Sequence, residues 1–265
     1  MNIQSYLIYN RYRFKNLHKI FTFKTKTIDE IIKFSRNQIY MFFLDYFYFH
    51  SKSFVRKHRN YFKTNKRGFG EDAFHGMWDF LFLNYKPKLI LEIGIYRGQT
   101  LSLFNYLSDY YQLESEVWGV APLTSAGDNV SNYIDINYQE DIEINFNNFN
   151  LKKPNIFIGH SNSRLGKKFI QSKKWDLIYI DGSHEYEIVK QDVDNCIKSL
   201  NKKGLLILDD SSLYTDFNLI HKDISTFKGH EGPSKIFNEL IKDKKLNYLF
   251  GVGHNNIFIL SLIHI

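Results

Sequence analysis

The side chains best suited to chemistry are acidic and follow two short apolar runs. Trp175–Ile180 (WDLIYI) leads into Asp181, Gly182, Ser183 and His184, and residues 205–208 (LLIL) lead into Asp209, Asp210, Ser211 and Ser212. Apolar runs without polar alternation read as strands covered on both faces of a parallel sheet. Neighbouring strands lie ~4.8 Å apart, so Asp181, Asp209 and Asp210 would converge at one carboxyl edge. Three carboxylates that close repel unless they are protonated or bridged by a cation. Oxygen ligands select a hard ion such as Mg²⁺. The competing reading makes Asp181 the turn residue of an Asp-Gly pair and Asp209 or Asp210 a helix cap. His184 lies three residues past Asp181, and an imidazole with an ordinary pKa near ~6.5 suits removal of a hydroxyl proton at neutral pH. Its alternative role is to cap the helix that starts there. We read Asp181 and His184 as catalytic, and Asp181, Asp209 and Asp210 as metal ligands.

These side chains need a platform, and residues 88–98 (KLILEIGIYRG) supply it. Pro87 and Gly94 bracket an apolar run that reads as a buried strand. Gly94 and Gly98 make a tight turn, and Thr100, Leu101, Leu103, Phe104 and Leu107 continue at helical spacing. Strand, glycine turn and helix bring backbone N–H groups and a helix N-terminus to a ligand at the sheet edge. The spacing Glu92-x-Gly94-x-x-x-Gly98 is not the dinucleotide-binding G-x-G-x-x-G. It resembles motif I of class I methyltransferases that use S-adenosylmethionine (SAM). That resemblance implies SAM over this turn, contacted by Glu92, Gly94, Tyr96, Gly98 and Thr100.

The remaining elements follow in order. Residues 71–83 (EDAFHGMWDFLFL) read as a helix before the first strand. Its Glu71, Asp72 and His75 either face the methionine end of SAM or are only cap and surface residues. Residues 116–120 read as the second strand. A class I enzyme places an acidic ribose contact at its end, where this chain has Ala121 and then Pro122. Asp128 is either a substitute contact from the loop or a turn aspartate. Residues 140–149 read as a helix and Asn155–Ile158 as a third strand. His160 and Ser161 then occupy the loop where class I enzymes contact adenine; a merely solvated histidine is the competing reading. The helix after His184 carries Val189, Val193, Cys196, Ile197 and Leu200 on one stripe and closes on Lys202, Lys203 and Gly204. Cys196, on that stripe, reads as core. Residues 246–252 and 256–262, joined by Gly253, His254 and Asn255, read as an antiparallel hairpin.

The 265 residues fit one large domain with an extension. No apolar run approaches the ~18 residues of a membrane span, and no apolar signal core follows Arg11, Arg13 and Lys15. The single cysteine excludes an internal disulfide framework and a cysteine zinc site, and suits a reducing, cytoplasmic setting. Charge is uneven. Residues 1–67 hold fifteen Lys/Arg against three Asp/Glu, and the rest twenty against twenty-five. This basic segment is also rich in aromatics. It carries no RNA-binding signature, so a helical extension packed on the catalytic domain or a second copy is preferred to nucleic-acid binding. Peripheral contact with a membrane surface stays open. A helix is expected from Thr27, an N-cap residue before Ile31, Ile32 and Phe34.

From Gly70 onward the motifs form a specific set: residues 89–98, IDGSHEY at 180–186, GLLILDD at 204–210 and GHEGPS at 229–234. Together they resemble the metal-dependent class I O-methyltransferases that include the macrocin and mycinamicin sugar O-methyltransferases, and their relative named cephalosporin hydroxylase. The resemblance implies a Rossmann-like, doubly wound α/β fold. Its sheet has seven strands, mostly parallel, and ends in an antiparallel C-terminal hairpin. It implies Mg²⁺ on Asp181, Asp209 and Asp210, and His184 as general base. We therefore expect a basic extension at 1–67, a methyltransferase domain at 68–265, and O-methylation of a sugar, glycan or other small polyhydroxylated acceptor. Two alternatives stand: a non-catalytic binding or assembly protein on the same fold, kept open by Ala121, and a nucleic-acid methyltransferase. Residues 1–67 carry none of the side chains assigned to cofactor or metal.

Overall fold

In the computed structural model, residues 11–125, 127–131, 133–219 and 227–261 are described. Readings that reach residues 1–10, Ala126 or Leu262 lie in part outside them. Seven strands form one sheet: β1 (Leu89–Ile93), β2 (Glu116–Ala121), β3 (Asn155–Ile158), β4 (Trp175–Ile180), β5 (Leu200–Leu208), β6 (Leu246–Val252) and β7 (Asn255–Leu260). Their order is β3-β2-β1-β4-β5-β7-β6. The first five run parallel, and β7 is antiparallel to both β5 and β6. Strand order reverses between β1 and β4, where open α/β sheets bind ligands beyond the carboxyl ends of their strands. The register pairs Ile93 with both Val120 and Ile180, and Ile180 with Leu208. Gly94, Ala121, Asp181 and Asp209 therefore leave the sheet at one level.

Helices cover both faces: α1 (Arg36–Phe49), α2 (Ser53–Thr64), α3 (Asp72–Tyr85), α4 (Gln99–Tyr110), α5 (Tyr138–Asn148), α6 (Arg164–Gln171), α7 (Tyr186–Ser199) and α8 (Glu231–Leu240). Strand side chains alternate between two cores. Leu177, Tyr179, Leu205 and Ile207 pack with α1 to α5, while Ile178, Ile180, Leu206 and Leu208 pack with α6 to α8. The period of two in a pleated strand produces this division. Cys196 is buried in the second core. No helix among the described residues is long and apolar enough to cross a membrane.

The aromatics of the N-terminal segment belong to the first core. Phe43 meets Phe80 and Phe250 at ring distances of 5.4 and 5.7 Å. Arg36, itself buried, donates from Nη2 to Tyr248 Oη and Asn256 Oδ1 at 2.7 and 2.8 Å. The core thus runs across residue 67. Two local expectations need correction. The helix expected from Thr27 is a single turn (Ile28–Ile31), and a second capping box, Ser35 with Gln38, starts the long helix α1. The helix expected to close on Lys202, Lys203 and Gly204 ends at Ser199. Leu200 is buried and pairs with Trp175, so the residues after it bulge from β5.

Candidate active site

The glycine turn after β1 brings two loops into contact. Gly94 has φ +85°, and a Cβ there would lie 1.9 Å from the Asp181 carbonyl oxygen. Gly98, at φ +76°, opens α4. Two adjoining cavities flank this turn. The smaller, about 260 Å³, touches Gly94, Tyr96, Ala121, His160 and Ser161. The larger, about 570 Å³, touches Glu92, Thr100, Asp181, His184, Asp209 and Asp210, and again Gly94 and Tyr96. Gly98 lines neither.

Asp128 lines the smaller cavity, and its carboxylate is engaged by neighbouring groups. Its Oδ1 accepts from Ser131 Oγ at 2.7 Å. Its Oδ2 accepts from the His184 backbone N–H at 2.6 Å and faces His184 Nδ1 at 2.9 Å. Burial opposes its ionisation, but the bonds from His184 and Ser131 outweigh burial and hold the carboxyl well below the usual range. Asp128 therefore orients His184, a partnership between distant loops that spacing alone did not reveal. His184 does not cap α7, whose start lacks a side-chain cap.

The acidic residues do converge. Tyr179 Oη donates to Asp209 Oδ2 at 2.6 Å and reaches Asp181 Oδ2 at 3.2 Å. Burial, then Asp209, Asp210 and Glu92, pushes the Asp181 carboxyl well up. The expected oxygen-only cluster is corrected by histidines. His254 Nδ1 lies 2.7 Å from Asp209 Oδ1 and 2.9 Å from Asp210 Oδ1. His184 Nε2 lies 3.0 Å from Asp210 Oδ2, and His230 Nε2 3.8 Å from the same oxygen. Burial disfavours charge on His254 and His184, but the facing carboxylates outweigh it and raise both imidazoles. Among the described residues, two groups have ligand atoms within 4.8 Å of one another: Asp209, Asp210 and His254, and His184, Asp210 and His230. Asp181 belongs to neither. No helix starts after Asp209 and Asp210, so they are not caps; Asp210 adopts φ +50°.

His160 is exposed at the rim of the smaller cavity. Ser161 Oγ donates to Asp192 Oδ2 at 3.0 Å beneath it. Of the three candidates on and before α3, Glu71 and His75 line the larger cavity. Asp72 does not; Arg59 Nε and Tyr48 Oη donate to it at 3.0 and 2.6 Å. Sequence reasoning missed Arg59, Gln99, His230 and His254 in the larger cavity. His230 stood within GHEGPS and His254 at the hairpin turn, and both were quoted only as motif and turn residues.

Residues 91–211 match the family model described as a methyltransferase domain. No match was found among curated proteins. Several solved structures share the fold. A Staphylococcus aureus protein provisionally described as a caffeoyl-CoA O-methyltransferase is 17% identical over 80% of this chain and 94% of its own, with a TM-score of 0.56. An O-methyltransferase from Bacillus cereus in complex with S-adenosylhomocysteine (SAH) is 13% identical over 89% and 100%, with a TM-score of 0.55. An SAH-bound methyltransferase from Podospora anserina is 16% identical over 79% and 88%, also with a TM-score of 0.55. These likenesses establish the Rossmann-like methyltransferase fold.

Proposed function

Since the chain carries a methyltransferase domain at residues 91–211, we propose that it is a SAM-dependent O-methyltransferase acting on a sugar or another small polyhydroxylated molecule with help from Mg²⁺. The observation that carries this reading is the pair of cavities meeting at Gly94, one beside Ala121, His160 and Ser161 and one beside an acid–histidine cluster. Ala121, His160 and Ser161 would border the adenosine, and Tyr96 and the glycine turn would lie against its junction with methionine. Bound SAM supplies an electrophilic methyl group.

His184 is the base in this reading. Asp128 accepts at Nδ1 and fixes the imidazole, leaving Nε2 to take a proton from the acceptor hydroxyl. Nε2 now faces Asp210, so Asp210 needs another partner before that nitrogen can act. Asp181, Asp209 and Asp210 would hold Mg²⁺, whose chemistry is to lower the pKa of an acceptor hydroxyl. Asp209 and Asp210 have ligand atoms close together, Asp181 stands beside Asp209 through Tyr179, and His254 is the competing cation. Vicinal hydroxyls suit such a site, as does a catechol. Much of the acceleration then comes from positioning.

The buried aromatics of the basic segment support leaving nucleic acid aside, and one buried thiol suits a cytoplasmic setting. The test is transfer of labelled methyl from SAM to sugars and catechols, with Mg²⁺ and after chelation. Magnesium-dependent labelling is expected. Full activity after metal removal would eliminate the role of Asp181, Asp209 and Asp210.

A further inference from the structure

The methyl-transfer reading gives no task to the histidine of GHEGPS at 229–234, yet the backbone fixes where that histidine lies. Gly229, at φ +98°, presses on the loop after β5, where a Cβ would lie 2.0 Å from the Asp210 carbonyl oxygen. That oxygen accepts from the His230 backbone N–H at 2.8 Å. Three residues on, a Cβ at Gly232 would lie 2.1 Å from the His184 carbonyl oxygen. The segment is thus seated on the two loops that carry Asp210 and His184, with His230 between the two contacts. Nε2 of His184 lies 3.0 Å and Nε2 of His230 3.8 Å from the same atom, Asp210 Oδ2. The two imidazole rings are 4.2 Å apart at their centroids. Ligands ~2.1 Å from one ion, at angles of ~90–110°, stand ~3.0–3.4 Å apart. The first spacing fits a shared ion, and a small movement of the His230 ring brings the second to it. The other atoms of these groups are already engaged. Asp128 Oδ2 faces Nδ1 of His184 at 2.9 Å; an outer carboxylate of this kind fixes a metal-bound imidazole and leaves Nε2 to the ion. His254 Nδ1 lies 2.9 Å from Asp210 Oδ1, which leaves Oδ2 to the ion.

Two imidazoles and one carboxylate suit a borderline transition ion, whereas Mg²⁺ takes oxygen ligands. We propose that His184, Asp210 and His230 form a site for a divalent transition ion of the Zn²⁺ class. All three line the larger cavity, so the ion's remaining positions face it. The site omits Asp181 and Asp209 and shares only Asp210 with the proposed magnesium ligands, so the two ions compete. An ion here also engages the nitrogen that the methyl-transfer reading gives to the base, so its binding and that step exclude each other. The proposal does not depend on SAM, because the three ligands come together in the protein alone.

Calorimetric titration of the tag-free full chain with Zn²⁺, without SAM, tests it together with zinc-edge X-ray absorption of the loaded protein. One zinc per chain should bind with micromolar or tighter affinity, and the absorption spectrum should show two imidazole ligands. About a hundredfold excess of Mg²⁺ should leave the ion in place. Asp128→Asn should weaken zinc about 10- to 100-fold, as loss of a supporting carboxylate does, and His230→Gln, which removes a ligand, by more than ~100-fold. Absence of saturable zinc binding, or displacement of zinc by Mg²⁺, would overturn the proposal and needs no variant to fold. A spectrum with a single imidazole would overturn it too, by placing the ion on Asp209, Asp210 and His254. So would a His230→Gln protein that binds zinc as the wild type does.

Discussion

Asp192 offers a quantitative test of the packing beneath Ser161 and the smaller cavity. It is 1% exposed on α7, with Oδ2 bonded to Ser161 and Oδ1 unpartnered. Burial raises its pKa to about 6, while the Ser161 bond and Lys167 pull the other way. The folded pKa lies above the unfolded value, so folding favours the protonated acid. The resulting penalty is small at low pH, grows as pH rises and is complete above about 6. Each pKa unit is worth about 1.4 kcal/mol, so the penalty approaches about 3 kcal/mol at pH 7.5 and falls to roughly 0.5 at pH 4. Asp192→Asn removes the titration and retains a bond to Ser161. Urea unfolding of both proteins at pH 4 and 7.5 should show the variant gaining about 2.5 kcal/mol relative to wild type between the two. In melting temperature that is roughly 5 to 10 °C. Parallel stability curves would refute the burial argument.

Other outcomes follow from the same geometry. His58 and His75 are buried, with Nδ1 of the first 3.2 Å from Nε2 of the second, and burial holds both well below the usual imidazole pKa. The stability tied to their neutral forms is present above pH ~6.5 and lost as pH falls, so His58→Gln should close its gap to wild type by about 1.4 kcal/mol between pH 7.5 and 5.5; an unchanged gap in urea titrations would contradict this. Gly94→Val should abolish SAH binding in calorimetry while far-UV circular dichroism stays native, because φ +85° and the Asp181 carbonyl leave no room for a side chain. Asp128→Asn should lower kcat about 10- to 100-fold with the SAM Kd within twofold, since the oxygen it alters faces the His184 ring while Oδ1 keeps its bonds to Ser131. Asp210→Asn should retain SAM binding and lose magnesium-dependent turnover, checked by calorimetry and by labelled methyl transfer.

The sheet was legible because its signals are local. Apolar runs that end at Ile93, Ile180 and Leu208 announce buried strands, and the glycine turn announces the ligand edge. The meeting of Asp181, Asp209 and Asp210 followed from strand adjacency alone. What distant loops deliver was not legible. His254 reaches Asp209 and Asp210 from the β6–β7 turn, and Asp128 reaches His184 across 56 positions. Neither contact leaves a trace in spacing. The N-terminal segment packs its aromatics on the catalytic domain, as its composition suggested. Composition did not show which of its many basic residues are buried: Arg36 and Arg59 are, each committed to specific partners.

The most direct test of the account is a crystal structure of the full chain grown with SAH and Mg²⁺. The account predicts the adenosine beside Ala121, His160 and Ser161, the methionyl end passing Gly94 toward Glu92, and one cation among Asp181, Asp209 and Asp210. SAH bound elsewhere, or both cavities empty at saturating SAH, would contradict it.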